Sequence, residues 1–375
     1  MARHIHVISF DIPYPPSYGG VIDVYYKIKA LYRAGIKIHL HCYEYGRDRS
    51  SQLKKLCASV NYYPRNISRS KLFNTLPYIV TSRNSISLLK NLLRDNYPIL
   101  MEGLHSCYFL GEKTLSGRKI IVRTHNIEHN YYRGLAKVEG NIFKRYYYYN
   151  EAGKLEHFEE ILHKASYVAA ISQNDFKYLQ KKYENVIHLP PFHPHDRITS
   201  TSGKGSFVLY HGNLSVGENN EAALFLAQKV FNSLTEIPLV IAGSKPTKEL
   251  KDAIANKKNI ILEADISTRN IYHLIKNAHI NILPTFQPTG IKLKLLAALF
   301  SGRFCIANKA MVENTGLENA VKVADTAAEM KKEIKKLFSQ DFLSKDIEMR
   351  SAILREKYSN KNNIEHFIKQ VLQYP

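Results

Sequence analysis

The chain has 375 residues, 45% of them hydrophobic and 23% charged, with 53 Lys/Arg against 33 Asp/Glu. That length exceeds one ordinary core and suits two domains with a cleft between them. The composition is globular, and no run approaches the roughly 18–20 apolar residues that a bilayer span needs. Cys42, Cys57, Cys107 and Cys305 lie far apart, with no CxxC pair and no His-rich ligand spacing, so neither a zinc site nor a disulfide framework is indicated.

The chain begins Met1-Ala2-Arg3-His4 and runs directly into an alternating apolar segment at 5–10, which reads as the first strand of a cytoplasmic protein. Further β-branched runs fall at 36–43, 99–102, 119–123, 167–171 and 186–189, with amphipathic helical patterns between them. The second half repeats the scheme, with strands over 207–210, 239–242, 260–262, 280–283 and 304–307. Such alternation predicts βα units and parallel sheets. Pro190-Pro191-Phe192-His193-Pro194 and the Ser/Thr/Gly/Lys run after it read as a linker. The expected organisation is an N-terminal domain over 1–190, a linker over 191–206, a second domain over 207–355 and a C-terminal helix over 356–375.

The net charge of +20 is uneven: residues 1–125 carry 19 Lys/Arg against 7 Asp/Glu, while 126–196 balance. Within 65–94, Arg65, Arg69, Lys71, Arg83, Lys90 and Arg94 have no acidic neighbour and interleave with apolar residues such as Leu72, Phe73 and Leu88. A surface lying on anionic lipid has this composition, and so does a solvated basic face beside core positions. No zinc finger, RNP-like motif or basic tail points to nucleic acid.

Parallel sheets bind ligands in the loops after their strands. After the first strand comes Pro15-Pro16-Ser17-Tyr18-Gly19-Gly20, whose glycines let amide N–H groups at a helix start approach an anion. No GxGxxG dinucleotide fingerprint occurs. Arg123-Thr124-His125-Asn126-Ile127-Glu128 follows another strand and places His125 where it could hydrogen-bond a substrate hydroxyl or phosphate; His129, a turn further on, reads as helix surface or core. The most specific segment runs from Pro284 to Gly302 and enters a Leu/Ala-rich helix with Lys292 and Lys294 at its start. Cations gain nothing from a helix N-terminus, so a bound anion such as a diphosphate is the natural reason for them. Glu102 and His105, after the strand at 99–102, are candidate acceptor contacts. Four consecutive tyrosines, Tyr146 to Tyr149, cover every face of a helix and must be partly packed and partly wet.

PPSYGG, RTHNIE, AAISQND, LYHGNLSVGENNEAALF and TGIKLKLLAALFSGR, in that order and spacing, resemble the retaining family 4 glycosyltransferases of the GT-B fold. The resemblance implies two Rossmann-like domains facing across a cleft, with the C-terminal helix returning to the first domain. It also implies sugar transfer, with retention, from a nucleoside diphosphate donor held mainly by the second domain to a glycan or lipid-linked acceptor held by the first. In this reading Gly19 and Gly20 meet the diphosphate and sugar, His125 contacts the donor sugar, and Lys292 and Lys294 hold the phosphates. Asn126, Gly212, Asn213, Glu218, Gly243, Thr289, Gly290 and Ile291 are the further donor-side candidates. No metal and no cofactor are expected, the partners being the nucleotide-sugar, the acceptor and an anionic membrane surface through 65–94. The basic excess of the half expected to bind the acceptor points to a peripheral enzyme of polysaccharide, lipopolysaccharide or glycolipid assembly on the inner face of the cytoplasmic membrane. Two departures stand out: the paired glutamates of the family fall at Thr289 and Ala297, and its Arg and Lys after the first strand of the second domain have no equivalent near Asn213, Glu218 and Asn219. Loss of these groups also fits a non-catalytic GT-B-like scaffold. Another GT-B activity, an epimerase or a phosphorylase, is a third reading.

Overall fold

The structure is a computed structural model that describes residues 3–68, 74–286 and 292–373. The chain divides into two compact units, the first formed by 3–194 with 360–373 and the second by 195–286 with 292–359. Each unit is built on one parallel sheet with helices as crossovers.

The first sheet has seven strands in the order β3-β2-β1-β4-β5-β6-β7. They are β1 (His4–Ser9), β2 (Lys37–Glu44), β3 (Ser59–Pro64), β4 (Ile99–Glu102), β5 (Ile120–Thr124), β6 (Tyr167–Ala170) and β7 (Val186–His188). The order reverses between β1 and β4, and that switch point is where a doubly wound sheet leaves room for a ligand. The central strands β4 and β5 are buried at every residue, as expected of strands covered on both faces. The helix Gly19–Arg33 covers one face, burying Val21, Val24, Ile28 and Leu31 at spacings of three and four residues. The helix Asn360–Phe367 and the turn after it return to this face, where Ile364, Phe367, Ile368, Val371 and Leu372 join the same core. Five such side chains, at roughly 1.5–3 kcal/mol each for full burial, anchor the C-terminus to the first unit.

The second sheet runs β10-β9-β8-β11-β12-β13, again all parallel. Its strands are β8 (Val208–His211), β9 (Leu239–Gly243), β10 (Ile260–Ala264), β11 (Ile280–Leu283), β12 (Phe304–Ala307) and β13 (Lys322–Val323). Here the order reverses between β8 and β11.

Two strands escape the sequence pattern. β3 reads Ser-Val-Asn-Tyr-Tyr-Pro and is an edge strand with one buried residue, so it lacks the apolar run of its neighbours. β13 is a two-residue exposed edge. The lipid-facing expectation for 65–94 is also corrected in part: Ile79, Val80, Leu88 and Leu92 are core, and Arg83 is buried, donating to the carbonyls of Phe10 and Ile79. Leu72, Phe73, Arg69 and Lys71 lie outside the described residues.

One face of β1 and β2 carries an unexpected polar ladder. His4 and His6 on β1 and His39 and His41 on β2 alternate with apolar residues and so share a face. Asn91 donates to the Tyr63 hydroxyl, which reaches His41 Nδ1 at 2.8 Å; His41 Nε2 meets His6 Nδ1 at 2.8 Å, and His6 Nε2 meets Asp95 at 2.9 Å. This directional chain is satisfied by neutral imidazoles, with Tyr63 and His41 donating in turn toward Asp95. Burial depresses the His41 pKa to about 3 and lowers that of His6, despite the pull of Asp95.

Candidate active site

In the first unit the switch point is filled by a buried charge network. Asp23 and Lys27, one turn apart on the helix Gly19–Arg33, both project from its apolar side and are buried. Lys27 Nζ donates to Asp23 Oδ2 at 2.9 Å and to both oxygens of Glu102, at the end of β4, at 2.8 Å. Arg123 on β5 reaches the two oxygens of Asp23 at 3.2 and 3.1 Å and also donates to the carbonyls of Leu189 and Pro190. The amide of Phe192 donates to Asp23 Oδ1 at 2.7 Å, and His125 Nε2 lies 3.0 Å from Glu102 Oε2. Burial would raise both carboxyl pKa values, but Arg123 and Lys27 hold Asp23 below the usual range, and Lys27 and His125 do the same for Glu102. Asp23, Glu102 and His125 offer ligand atoms within 4.8 Å of one another, a spacing a metal could use. Lys27 already stands between the two carboxylates as their cation.

Glu102 therefore does not offer an acceptor contact from this position: its carboxylate is buried and taken by Lys27 and His125. His125 is likewise turned inward, with Nε2 on Glu102 and Nδ1 4.0 Å from Asp23. Its ring stands edge-on to Phe10 at 5.4 Å, and Phe10 in turn lies 5.5 Å from His105. Gly20 backs onto the Phe10 ring, where a Cβ would fall 2.7 Å from Cζ, while a Cβ on Gly19 would meet nothing within 4 Å. Tyr18 gives the helix no side-chain cap, so the first amides of the glycine turn are not capped by that side chain.

His105 packs beside a second buried acid. Its Nδ1 is 3.8 Å from Glu128 Oε1, and neither atom has a hydrogen-bond partner among the described residues. Burial, with Asp175 adding to it, pushes Glu128 up to about 8, and Asn126 hydrogen-bonds to it. Burial and the charge of Arg83 keep His105 well below its ordinary value. The pair is thus neutral near pH 7. Gly103, at φ 72°, makes the approach possible: a Cβ there would sit 2.9 Å from His105 Nδ1.

In the second unit the switch-point loops bring together residues that follow β8, β9 and β11. Lys294, in the first turn of the helix Leu293–Ser301, donates to Asn219 Oδ1 at 2.8 Å and stands 5.7 Å from the Tyr210 ring centroid. Among the described residues no carboxylate oxygen bonds it. Burial lowers its pKa, with Glu218 pulling it back up. The adjacent His211 is buried and neutral, depressed to about 3 by burial and by Lys294. Glu218 accepts from the Thr285 hydroxyl, just past β11. Asn213 Oδ1 accepts from the Ser215 amide and shapes the loop, whose carbonyl at 213 accepts from Asn219. Gly243 permits close backbone packing, since a Cβ there would lie 1.8 Å from the Gly212 carbonyl oxygen. Lys292 is the N-cap residue of the lysine helix. Thr289, Gly290 and Ile291 lie outside the described residues. Ala297, where the family resemblance expects a glutamate, packs with Leu209, Val240, Ala242, Ile275 and Ala278, so nothing at that position replaces the carboxylate.

Sequence reasoning missed Asp23, Lys27, Asn219 and Thr285 as partners in these clusters. A signal for the first two existed: an i,i+4 acid–base pair on the apolar stripe of a helix has to be buried and matched.

Residues 205–340 match the family described as Glycosyl transferases group 1. The second unit is thus of the group 1 glycosyltransferase type. A curated relative, an uncharacterized 44.6 kDa protein in the cps region of Klebsiella pneumoniae, is 28% identical over 337 residues, covering 84% of this chain and 85% of that protein. Among solved structures, a mutant of S. aureus TarM in complex with UDP aligns over 98% of this chain and 99% of that one, at 10% identity and a TM-score of 0.67. The pneumococcal O-GlcNAc transferase GtfA in complex with UDP and GlcNAc covers 99% of each chain, at 12% identity and 0.66. The lipopolysaccharide outer core galactosyltransferase WaaB covers 98% and 99%, at 13% and 0.64. These likenesses establish the GT-B fold.

Proposed function

We propose that this chain is a retaining glycosyltransferase that moves a sugar from a nucleoside diphosphate donor, held by the second unit, to a glycan or lipid-linked acceptor, held by the first, in assembly of a cell-surface polysaccharide or glycolipid. The observation that carries the reading is the Lys294 ammonium: a desolvated cation at a helix start, bonded by a neutral amide, in the loops where a parallel sheet takes its ligand. A phosphate oxygen there would supply the anion that both the lysine and the helix N–H groups favour. Departure of the diphosphate is then assisted by positioning and by fixed positive charge, contributed by Lys294 and Lys292. Glu218, in the first turn of the helix that follows the β8 loop, would take a ribose hydroxyl in the absence of a carboxylate at Ala297. In the first unit, Glu102 and Lys27 hold His125 and its loop in shape, and His105 is the residue offered to the acceptor.

The relative from a cps region and the structural neighbour named as a lipopolysaccharide outer core galactosyltransferase support the substrate class. Thermal-shift screening against UDP, GDP, ADP and CMP, followed by turnover of the matching nucleotide-sugars, tests the proposal. Stabilisation by one diphosphate and release of that diphosphate from its sugar are expected; a protein stabilised by none of the four is the scaffold instead.

A further inference from the structure

The first unit carries an apolar, basic projection that neither its core nor its candidate site uses. The helix Glu128–Val138 leaves the His125 loop, turns at 139–141 and is followed by the helix Ile142–Phe158. The two pack against each other through Tyr132 and Tyr148, whose rings meet edge-on at 5.9 Å, and the second helix buries Glu151, Ala152, Leu155 and Phe158 at its far end. At the turn the pattern inverts. Phe143 is 86% exposed, Tyr146 74%, Ile142 70% and Val138 58%. Ile142, Tyr146 and Tyr149 stand at i, i+4 and i+7, so they line one face of the helix. Single exposed apolar residues are ordinary, but five around one turn form a patch that calls for a partner.

The charge around the patch says which partner. Lys137, Lys144 and Arg145 are exposed beside it, and Glu139 is the one acid between 137 and 149. Arg133 and Glu156, further from the turn, pair with each other. No described helix is long and apolar enough to cross a membrane. Aromatic and branched residues at a tip, ringed by cations, are the chemistry of a segment that dips into the interface of an anionic bilayer, with tyrosines at headgroup depth.

We infer that the tip formed by 137–149 docks this protein on an anionic lipid surface. Eleven helical residues at about 1.5 Å each put the tip about 16 Å along the helix axis from Glu128, which neighbours His105. A lipid-linked acceptor whose sugars stand off the headgroups would then meet the first unit near His105; this last step rests on the proposed transferase reading, whereas the docking itself does not.

The test is co-sedimentation of the full chain with vesicles of phosphatidylcholine alone and of phosphatidylcholine with 30% phosphatidylglycerol (about a third anionic lipid, a composition that gives the surface a strong negative potential), with oligomeric state followed in parallel by light scattering. The wild type should bind the anionic vesicles at least tenfold more strongly than the neutral ones, and Ile142→Glu/Phe143→Glu should lower that binding at least tenfold. Lys144→Gln/Arg145→Gln, which leaves the apolar face intact, should lower it less and flatten its salt dependence. Nucleotide-induced thermal shifts of all three proteins should coincide, which separates failure of the docking from failure of the transferase reading. Equal binding by wild type and Ile142→Glu/Phe143→Glu overturns the inference, as does no vesicle binding at all. So does a wild-type dimer that the substitution converts to a monomer without any lipid effect, since the patch would then face a second copy of the chain.

Discussion

Each unit places a lysine near the switch point of its parallel sheet, and the two are used in opposite ways. Lys27 in the first is bonded by two carboxylates that Arg123 and His125 also serve, so its charge is spent inside the protein. Lys294 in the second is partly buried, and among the described residues its hydrogen-bond partner is an amide oxygen, with the Glu218 charge acting on it without a hydrogen bond. A buried, fully paired charge fixes the geometry of a loop, whereas a partly desolvated one with no carboxylate bonded to it keeps binding energy for a ligand.

The difference can be broken from the structural side. Lys27→Met leaves Asp23 and Glu102 buried side by side, with Arg123 and His125 as their remaining partners; removing one partner of a buried ion network costs about 3–5 kcal/mol. The first unit should lose that much in urea unfolding while the second unfolds as before, and an unchanged midpoint would mean that water, rather than Lys27, satisfies these acids. Gly243→Ala should act on the second unit alone. Its Cβ has no room beside the Gly212 carbonyl oxygen, so a loss above about 2 kcal/mol is expected for the second unit's unfolding. Glu218→Gln keeps the bond to Thr285 but removes the charge. Nucleoside diphosphate affinity should fall about five- to tenfold, near 1 kcal/mol, in calorimetry, with the matching ribose-free diphosphate unaffected.

A further difference is in pH. His41 and His6 are held neutral in the folded first unit, while their unfolded pKa is about 6.5. Below that value the unfolded chain binds more protons, so stability falls as pH drops from about 6.5 toward 3, by at most about 1.4 kcal/mol per pH unit for His41, with His6 acting in the same direction. His41→Asn should flatten that slope in a pH series of denaturation midpoints.

Much of the fold was legible because the central strands are short, mostly buried segments rich in aliphatic residues, and β1, β4, β8 and β11 could be placed to within a residue or two. Of the edge strands, β7 and β10 were legible as well, whereas β3 and β13 were not, being polar enough to look like loops. In the sites, Lys294 was legible because a cation at a helix start is anomalous in itself. Glu102 was read as a candidate acceptor contact because its partner Lys27 lies 75 residues away and only the pairing of β1 with β4 joins them. The histidine ladder needed the register of β1 on β2: His6 pairs with His39 in the strand alignment, and only the diagonal brings His41 to it. The exposed tip at 142–146 was hidden within a tyrosine run whose wet and packed faces a sequence cannot assign.

Lys294→Met tests the central claim most directly. Unliganded, the variant should melt at or slightly above the wild-type temperature, because a desolvated cation has been replaced by an apolar chain of similar length. Titrated with the nucleoside diphosphate that stabilises the wild type, it should bind about ten- to a hundredfold more weakly, the loss of a charge-assisted phosphate contact of about 1.5–3 kcal/mol. A variant that melts well below the wild type, yet binds the diphosphate with wild-type affinity, would show that Lys294 is a second Lys27 and that the anion is held elsewhere.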